Sequence, residues 1–243
     1  MDLRSLCRSL DEYLNVAEFT DVAVNGLQVE GCSEVSRVAL SVDASLDAIE
    51  GARQQGAQLL LCHHGLLWGG ASPLTGVLGA RLGRLFTAGI SLYASHLPLD
   101  AHPQVGNNAE LARLLGLRDT KPFGRYRGRL LGQAGSLPEP TRAGDLVAAL
   151  ESSVGPCLGT VGAGARIVSR VAVVSGAAGD MSDEAVAAGV DLLVTGELEH
   201  VSAMSAHDAG LDLVFLGHHA TEVFGVRALA AWIEAEFGLE SVE

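Results

Sequence analysis

Lysine is almost missing from this chain. Of 16 basic residues only Lys121 is a lysine, and 29 acidic residues bring the net charge to −13. Nucleic-acid binders draw most of their non-specific affinity from neutralised phosphates, so this balance disfavours nucleic acid as a partner. The arginine preference follows most simply from a genome of biased base composition. Cysteine is scarce as well: Cys7, Cys32, Cys62 and Cys157 lie far apart with no CxxC pair, as expected in a reducing cytosol. Long apolar runs are lacking. The longest are strand-sized pieces such as LLLC (59–62), too short for a transmembrane helix. The amino terminus, MDLRSLCRSLDEYL, carries charges throughout and has no apolar signal-peptide core. The expected location is therefore the cytoplasm. A full GxGxxG, a Walker lysine and a GxSxG elbow are all missing, which removes covalent serine catalysis and the common nucleotide loops.

What is present describes a globular α/β chain. Apolar residues make up 48% and charged residues 19% of 243 residues, which excludes intrinsic disorder. A chain of this length buries about 70% of its extended surface and needs neither disulfide nor metal merely to fold. Residues 3–14 predict an amphipathic helix, 37–43 a strand, and 45–56 a helix ended by Gly56. Residues 57–65 predict a buried strand, 78–89 a helix, 90–96 a strand and 107–116 a helix. That alternation indicates parallel α/β architecture.

The order then recurs. Residues 37–64 align with 170–197 at a constant offset of 133 with nine identities, among them Arg37-Val38-Ala39 on Arg170-Val171-Ala172. The pattern is an internal duplication. We expect a first α/β repeat over 1–122 and a second over 123–243, with exchange of elements between the lobes left open. The join near 118–144 holds the one basic cluster, Arg118 to Arg129, which reads as a solvated hairpin before a phosphate clamp. VVSGAAGD (173–180) reads as a tight strand-to-helix turn, and Asn25-Gly26 as a turn.

All eight histidines fall in four pairs: His63/His64, His96/His102, His200/His207 and His218/His219. Three of the pairs sit at or just beyond predicted strand ends, where parallel sheets collect ligands. His63 and His64 would point to opposite faces of a regular strand, but they can converge where it turns at Gly65. His96…Asp100 and His218…Glu222 repeat an imidazole and a carboxylate at i,i+4 from matching points of the two repeats. HATE can form a first helical turn, whereas Pro98 predicts that HLPLD works through a loop. Imidazole with carboxylate suits divalent Zn, Fe, Mn or Ni.

NGLQVEG (25–31), CHHG (62–65), HLPLDAH with GNN behind it (96–102, 106–108), TGELEH (195–200) and GHHATE (217–222) resemble, in order and over nearly the whole chain, the dinuclear-metal-centre family labelled GTP cyclohydrolase 1 type 2 homologues. The resemblance implies a duplicated α/β unit with two intertwined repeats and a metal site in the cleft between them. It also implies a homo-oligomer, typically a hexamer built as a trimer of dimers. By motif, two divalent ions per chain would be held by His63, His64, Asp100, His218 and Glu222, with Glu222 bridging. His96 and Glu197 would serve as proton-shuttling catalytic groups. The implied activity is metal-dependent hydrolysis, with hydroxide attacking C8 of guanine in a nucleotide and formate released. A metal-delivery, storage or regulatory protein stands as the alternative class.

Overall fold

Each repeat's central strand is a short apolar run, and the fold is built outward from those two runs. The structure is a computed structural model that describes residues 1–197 and 200–243. The elements run α1 (Leu3–Tyr13), β1 (Gly26–Val29), β2 (Arg37–Asp43), α2 (Leu46–Gln54), β3 (Leu59–His64), α3 (Gly76–Ala88), β4 (Ser91–Ala94), α4 (Leu97–Asp100) and α5 (Asn107–Leu114). They continue with β5 (Arg118–Tyr126), β6 (Arg129–Arg142), α6 (Ala143–Ser153), β7 (Gly159–Val161), β8 (Ile167–Ala177), α7 (Ser182–Ala187), β9 (Leu192–Glu197), α8 (His200–Asp208), β10 (Asp212–Phe215), α9 (His218–Phe237) and β11 (Glu240–Val242). Among the described residues no helix is long and apolar enough to cross a membrane.

The chain forms two compact units, one from residues 1–99 and 225–243, the other from 100–224. The first contains a sheet of order β1-β4-β3-β2-β11, parallel except for β1. The second contains β5-β6-β8-β9-β10-β7, in which β8, β9 and β10 are parallel and the other three strands antiparallel. In each unit three consecutive parallel strands, β2-β3-β4 and β8-β9-β10, end against an antiparallel strand, and the first unit adds β11 as a fourth parallel strand. β3 and β9 begin and end 133 residues apart, the offset of the duplication.

Local chemistry explains the elements. Asp2 accepts the Ser5 N–H at 2.8 Å to start α1, whose Leu3, Leu6 and Leu10 are buried at helical spacing. Ser45 caps α2 by accepting the Ala48 N–H at 3.0 Å. Gly89, at φ 65°, closes α3 in the left-handed conformation that a side chain would disfavour. Leu59, Leu60, Leu61 and Cys62 are fully buried, as a parallel strand covered on both faces requires. The basic segment is an antiparallel hairpin, β5 with β6, turning at Arg127-Gly128 where both residues have positive φ.

The region after His96 corrects one expectation. HLPLD is not a loop: Leu97–Asp100 makes one helical turn, with the Leu99 N–H donating to the His96 carbonyl at 2.9 Å. Pro98 is tolerated because it lies in the first turn, where its missing N–H has no helical partner to lose.

Candidate metal centre

The first unit brings His63, His64 and His96 together. The first two end β3 and the third follows β4, the neighbouring parallel strand. One ring nitrogen from each lies within 4.8 Å of the others. Ring centroids are 4.6 Å apart for His63 and His64, 5.2 Å for His63 and His96, and 5.6 Å for His64 and His96. Adjacent residues on a strand thus converge, as the strand end permits.

Each imidazole is oriented through Nδ1. His63, fully buried, donates to the Ser95 carbonyl at 2.9 Å. His64 donates to Asp43 at 3.0 Å, across the register pair that joins the ends of β2 and β3. His96 donates to both oxygens of Asp21, at 3.0 and 3.1 Å. Carbonyl and carboxylate oxygens only accept, so Nδ1 carries a proton in each ring and Nε2 is the nitrogen left to face a ligand. Metal-binding histidines are held in this way.

Asp21 is a hub. It also accepts from Asn25 Nδ2 at 3.0 Å and from the Ala23 and Leu97 N–H groups at 3.1 Å. Burial pushes its carboxyl up, but hydrogen bonds from His96 and Asn25 outweigh that and hold it well below the usual range. Asn25 in turn accepts the His96 N–H at 2.7 Å, so it does more than form a turn.

The second unit groups Asp100, Glu197, His218 and Glu222. Carboxylate oxygens of Asp100 and Glu222 lie within 4.8 Å of each other. Asp100 accepts from Asn107 Nδ2 at 2.9 Å and Ser175 Oγ at 3.0 Å. His218 Nε2 lies 3.1 Å from Glu222, one turn along α9, and its Nδ1 lies 3.1 Å from Glu197. The Glu222 hydrogen bond, against opposing desolvation and with Glu197 adding charge, lifts the His218 imidazolium to about 9. Gly176 makes room for this group: at φ +68° it faces Glu222, and a Cβ there would lie 2.7 Å from Oε1.

The other four histidines stand apart from these sets among the described residues. His102 Nδ1 accepts the N–H groups of Gln104 and Val105 and so caps a turn. His200, His207 and His219 are exposed. Asp21, Asp43 and Ser95 were not singled out from the sequence, and Ser175 and Gly176 were read only as part of a tight turn. Asp43 alone left a signal, as a carboxylate at the end of a strand adjoining CHHG.

Imidazole nitrogens presented by Nδ1 acceptors, with buried carboxylates, fit a borderline divalent cation better than calcium or magnesium. Residues 1–243 match the family described as Duf34/NIF3 (NGG1p interacting factor 3). The chain is 44% identical over 234 residues to a Deinococcus radiodurans protein named GTP cyclohydrolase 1 type 2 homolog, covering 96% of this chain and 89% of that one. A Pyrococcus horikoshii protein of the same name is 43% identical, covering 100% and 97%. The solved structure of protein ybgI, described as of unknown function, superposes with a TM-score of 0.91 at 38% identity, covering 100% and 97%. That of TTHA1606 from Thermus thermophilus gives 0.89 at 40%, with the same coverage.

Proposed function

The chain belongs to the Duf34/NIF3 family, and on that premise we propose a metal-dependent hydrolase resembling GTP cyclohydrolase 1 type 2, acting on a nucleotide or a related substrate. The observation that carries the reading is the imidazole trio of the first unit, each ring held by an acceptor at Nδ1. By motif, His63, His64, Asp100, His218 and Glu222 would hold two divalent ions per chain, drawn from Zn, Fe, Mn or Ni. When bound, such ions supply Lewis acidity and an activated water to attack a polarised carbon or phosphorus.

The remaining groups handle protons and position. His96, clamped by Asp21 and Asn25, takes or returns a proton at Nε2. Glu197 holds His218 at Nδ1 and exchanges protons at its own carboxylate. The buried carboxylates Asp100 and Glu222 supply the negative charge that two cations require. The functional assembly is a homohexamer, a trimer of dimers, and light scattering that finds a monomer at micromolar concentration would refute that part.

The test is elemental analysis of metal-reconstituted protein together with a turnover screen over GTP, other nucleotides and phosphoesters. Two equivalents of metal and GTP-dependent formate release, both lost in Glu222→Gln, are the expected results. Stable metal loading without turnover would identify a delivery, storage or regulatory protein instead.

A further inference from the structure

Trp68 borders the imidazole trio without belonging to it. Its indole centroid lies 5.2 Å from that of His96 at an interplanar angle of 70°, and 5.8 Å from that of His64 at 49°. The residue is 41% exposed. What sets this exposed indole apart is its place against two imidazoles of the trio, with part of the ring left open to a ligand.

This indole is fixed. Its Nε1–H donates to the Gly65 carbonyl at 2.9 Å, and its backbone bridges to Ala23. On either side, the Val24 N–H donates to Leu67 O at 3.0 Å and the Gly69 N–H to Val22 O at 2.6 Å. Gln28 braces the same loop, accepting the N–H groups of Leu66 and Leu67 at 2.7 and 3.2 Å. With its one donor already used, the ring can offer a ligand only its face and edge. Such a platform suits a planar π-system, since every nucleobase has a face to stack.

We propose that Trp68 is the aromatic wall of the site, stacking on a planar heteroaromatic ring of the substrate beside His64 and His96. The proposal rests on the nucleotide-hydrolase reading for its chemistry, but the contact is measurable without turnover.

Only one other tryptophan, Trp232, is present, and it is stacked on Tyr13 at 3.9 Å. Guanosine 5′-monophosphate and ribose 5-phosphate are titrated separately into metal-loaded protein, followed by tryptophan emission and by calorimetry. The nucleotide should quench emission saturably in the wild type and in Trp232→Phe, but not in Trp68→Phe. Trp68→Ala should weaken nucleotide binding about tenfold or more, while Trp68→Phe, which keeps an aromatic face, should stay within about threefold. Ribose 5-phosphate should bind at least about tenfold more weakly and be indifferent to Trp68→Ala.

Equal nucleotide affinity in Trp68→Ala and wild type, quenching that persists in Trp68→Phe, or no saturable binding would overturn the proposal. A Trp68→Ala protein changed in assembly but not in nucleotide affinity would also overturn it, by making a second copy the occupant. Stacking with this pattern but no hydrolysis of GTP would sink the hydrolase reading and leave Trp68 in its role.

Discussion

Replacing Asn108 by aspartate exchanges one NH2 group for an oxygen, in a place where the consequence can be worked out. Asn108 is 1% exposed. Its Nδ2 donates to Leu131 O at 2.9 Å and to Asp100 O at 3.2 Å, and its Oδ1 accepts the Ser175 N–H at 2.7 Å. It thus ties α5 to α4, β6 and β8 through backbone groups alone. Aspartate would keep the bond from Ser175 but aim its second oxygen at two carbonyl oxygens. An ionised carboxylate is repelled there, and burial disfavours it further. Full burial raises a carboxyl by up to 3–5 units. The Ser175 donor opposes this, so about 2–3 units is reasonable, or about 3–4 kcal/mol at roughly 1.4 per unit.

The sign follows from linkage. Because the folded pKa lies above the unfolded value, the protonated acid donates to Leu131 O and stability is retained below about pH 4. It is lost as pH rises through the folded pKa, near about 6–7, and is level beyond it. Urea unfolding of both proteins by circular dichroism, from about pH 4 to 8.5, measures the difference directly. Asn108→Ala, which has no titrating group, should show a deficit independent of pH. An Asn108→Asp deficit that is flat across the range, or below about 0.5 kcal/mol at pH 8, would refute this account of the contact.

Three further outcomes are expected. Gly196→Ala would place a Cβ 2.7 Å from Gly176 O, 2.8 Å from His218 Cα and 2.9 Å from Gly217 O, all backbone. It should cost about 3 kcal/mol or more, whereas Gly51→Ala, in α2 with nothing within 4 Å, should gain roughly 0.5–1 kcal/mol; thermal melts of both decide. Burial raises the thiols of Cys62 and Cys7, the latter to about 12, while Cys32 and Cys157 are half-buried. An aromatic disulfide reagent at neutral pH should therefore label at most two of the four quickly, and all four only in denaturant. Glu222→Gln should lower bound metal in elemental analysis, while His219→Ala, an exposed neighbour outside the i,i+4 pair, should keep it. Equal losses would show that the ligand register on α9 is wrong.

The parallel strands were legible because their signal is local: apolar runs such as LLLC that end in polar residues, repeated at a fixed offset. His63, His64 and the His218…Glu222 turn were legible for the same reason. The HLPLD turn was misread because a proline was weighed as a breaker without regard to its position in the turn. Asp21 could not be read at all, since its meaning lies in an imidazole 75 residues away. Gly176 was seen as a turn residue, but the side chains it clears space for are 42 and 46 positions downstream. Gln28 likewise acquires its role only when Leu66 and Leu67 present their N–H groups. β11 gave no sign: three residues with no alternation carry too little pattern, and the strand exists because β2 offers an edge.

That last pairing sets an order in time. β11 seals the edge of β2 through the register Glu240↔Arg37 to Val242↔Ala39, and Arg37 clasps Glu240 across 203 residues. During synthesis at about 5–20 residues per second, β2 leaves the ribosome roughly 10–40 s before its outer partner. Throughout that interval the nascent sheet presents an open parallel edge whose N–H and C=O groups could pair with another chain. The charged side chain of Arg37 stands on this edge, where charge disfavours pairing with another chain.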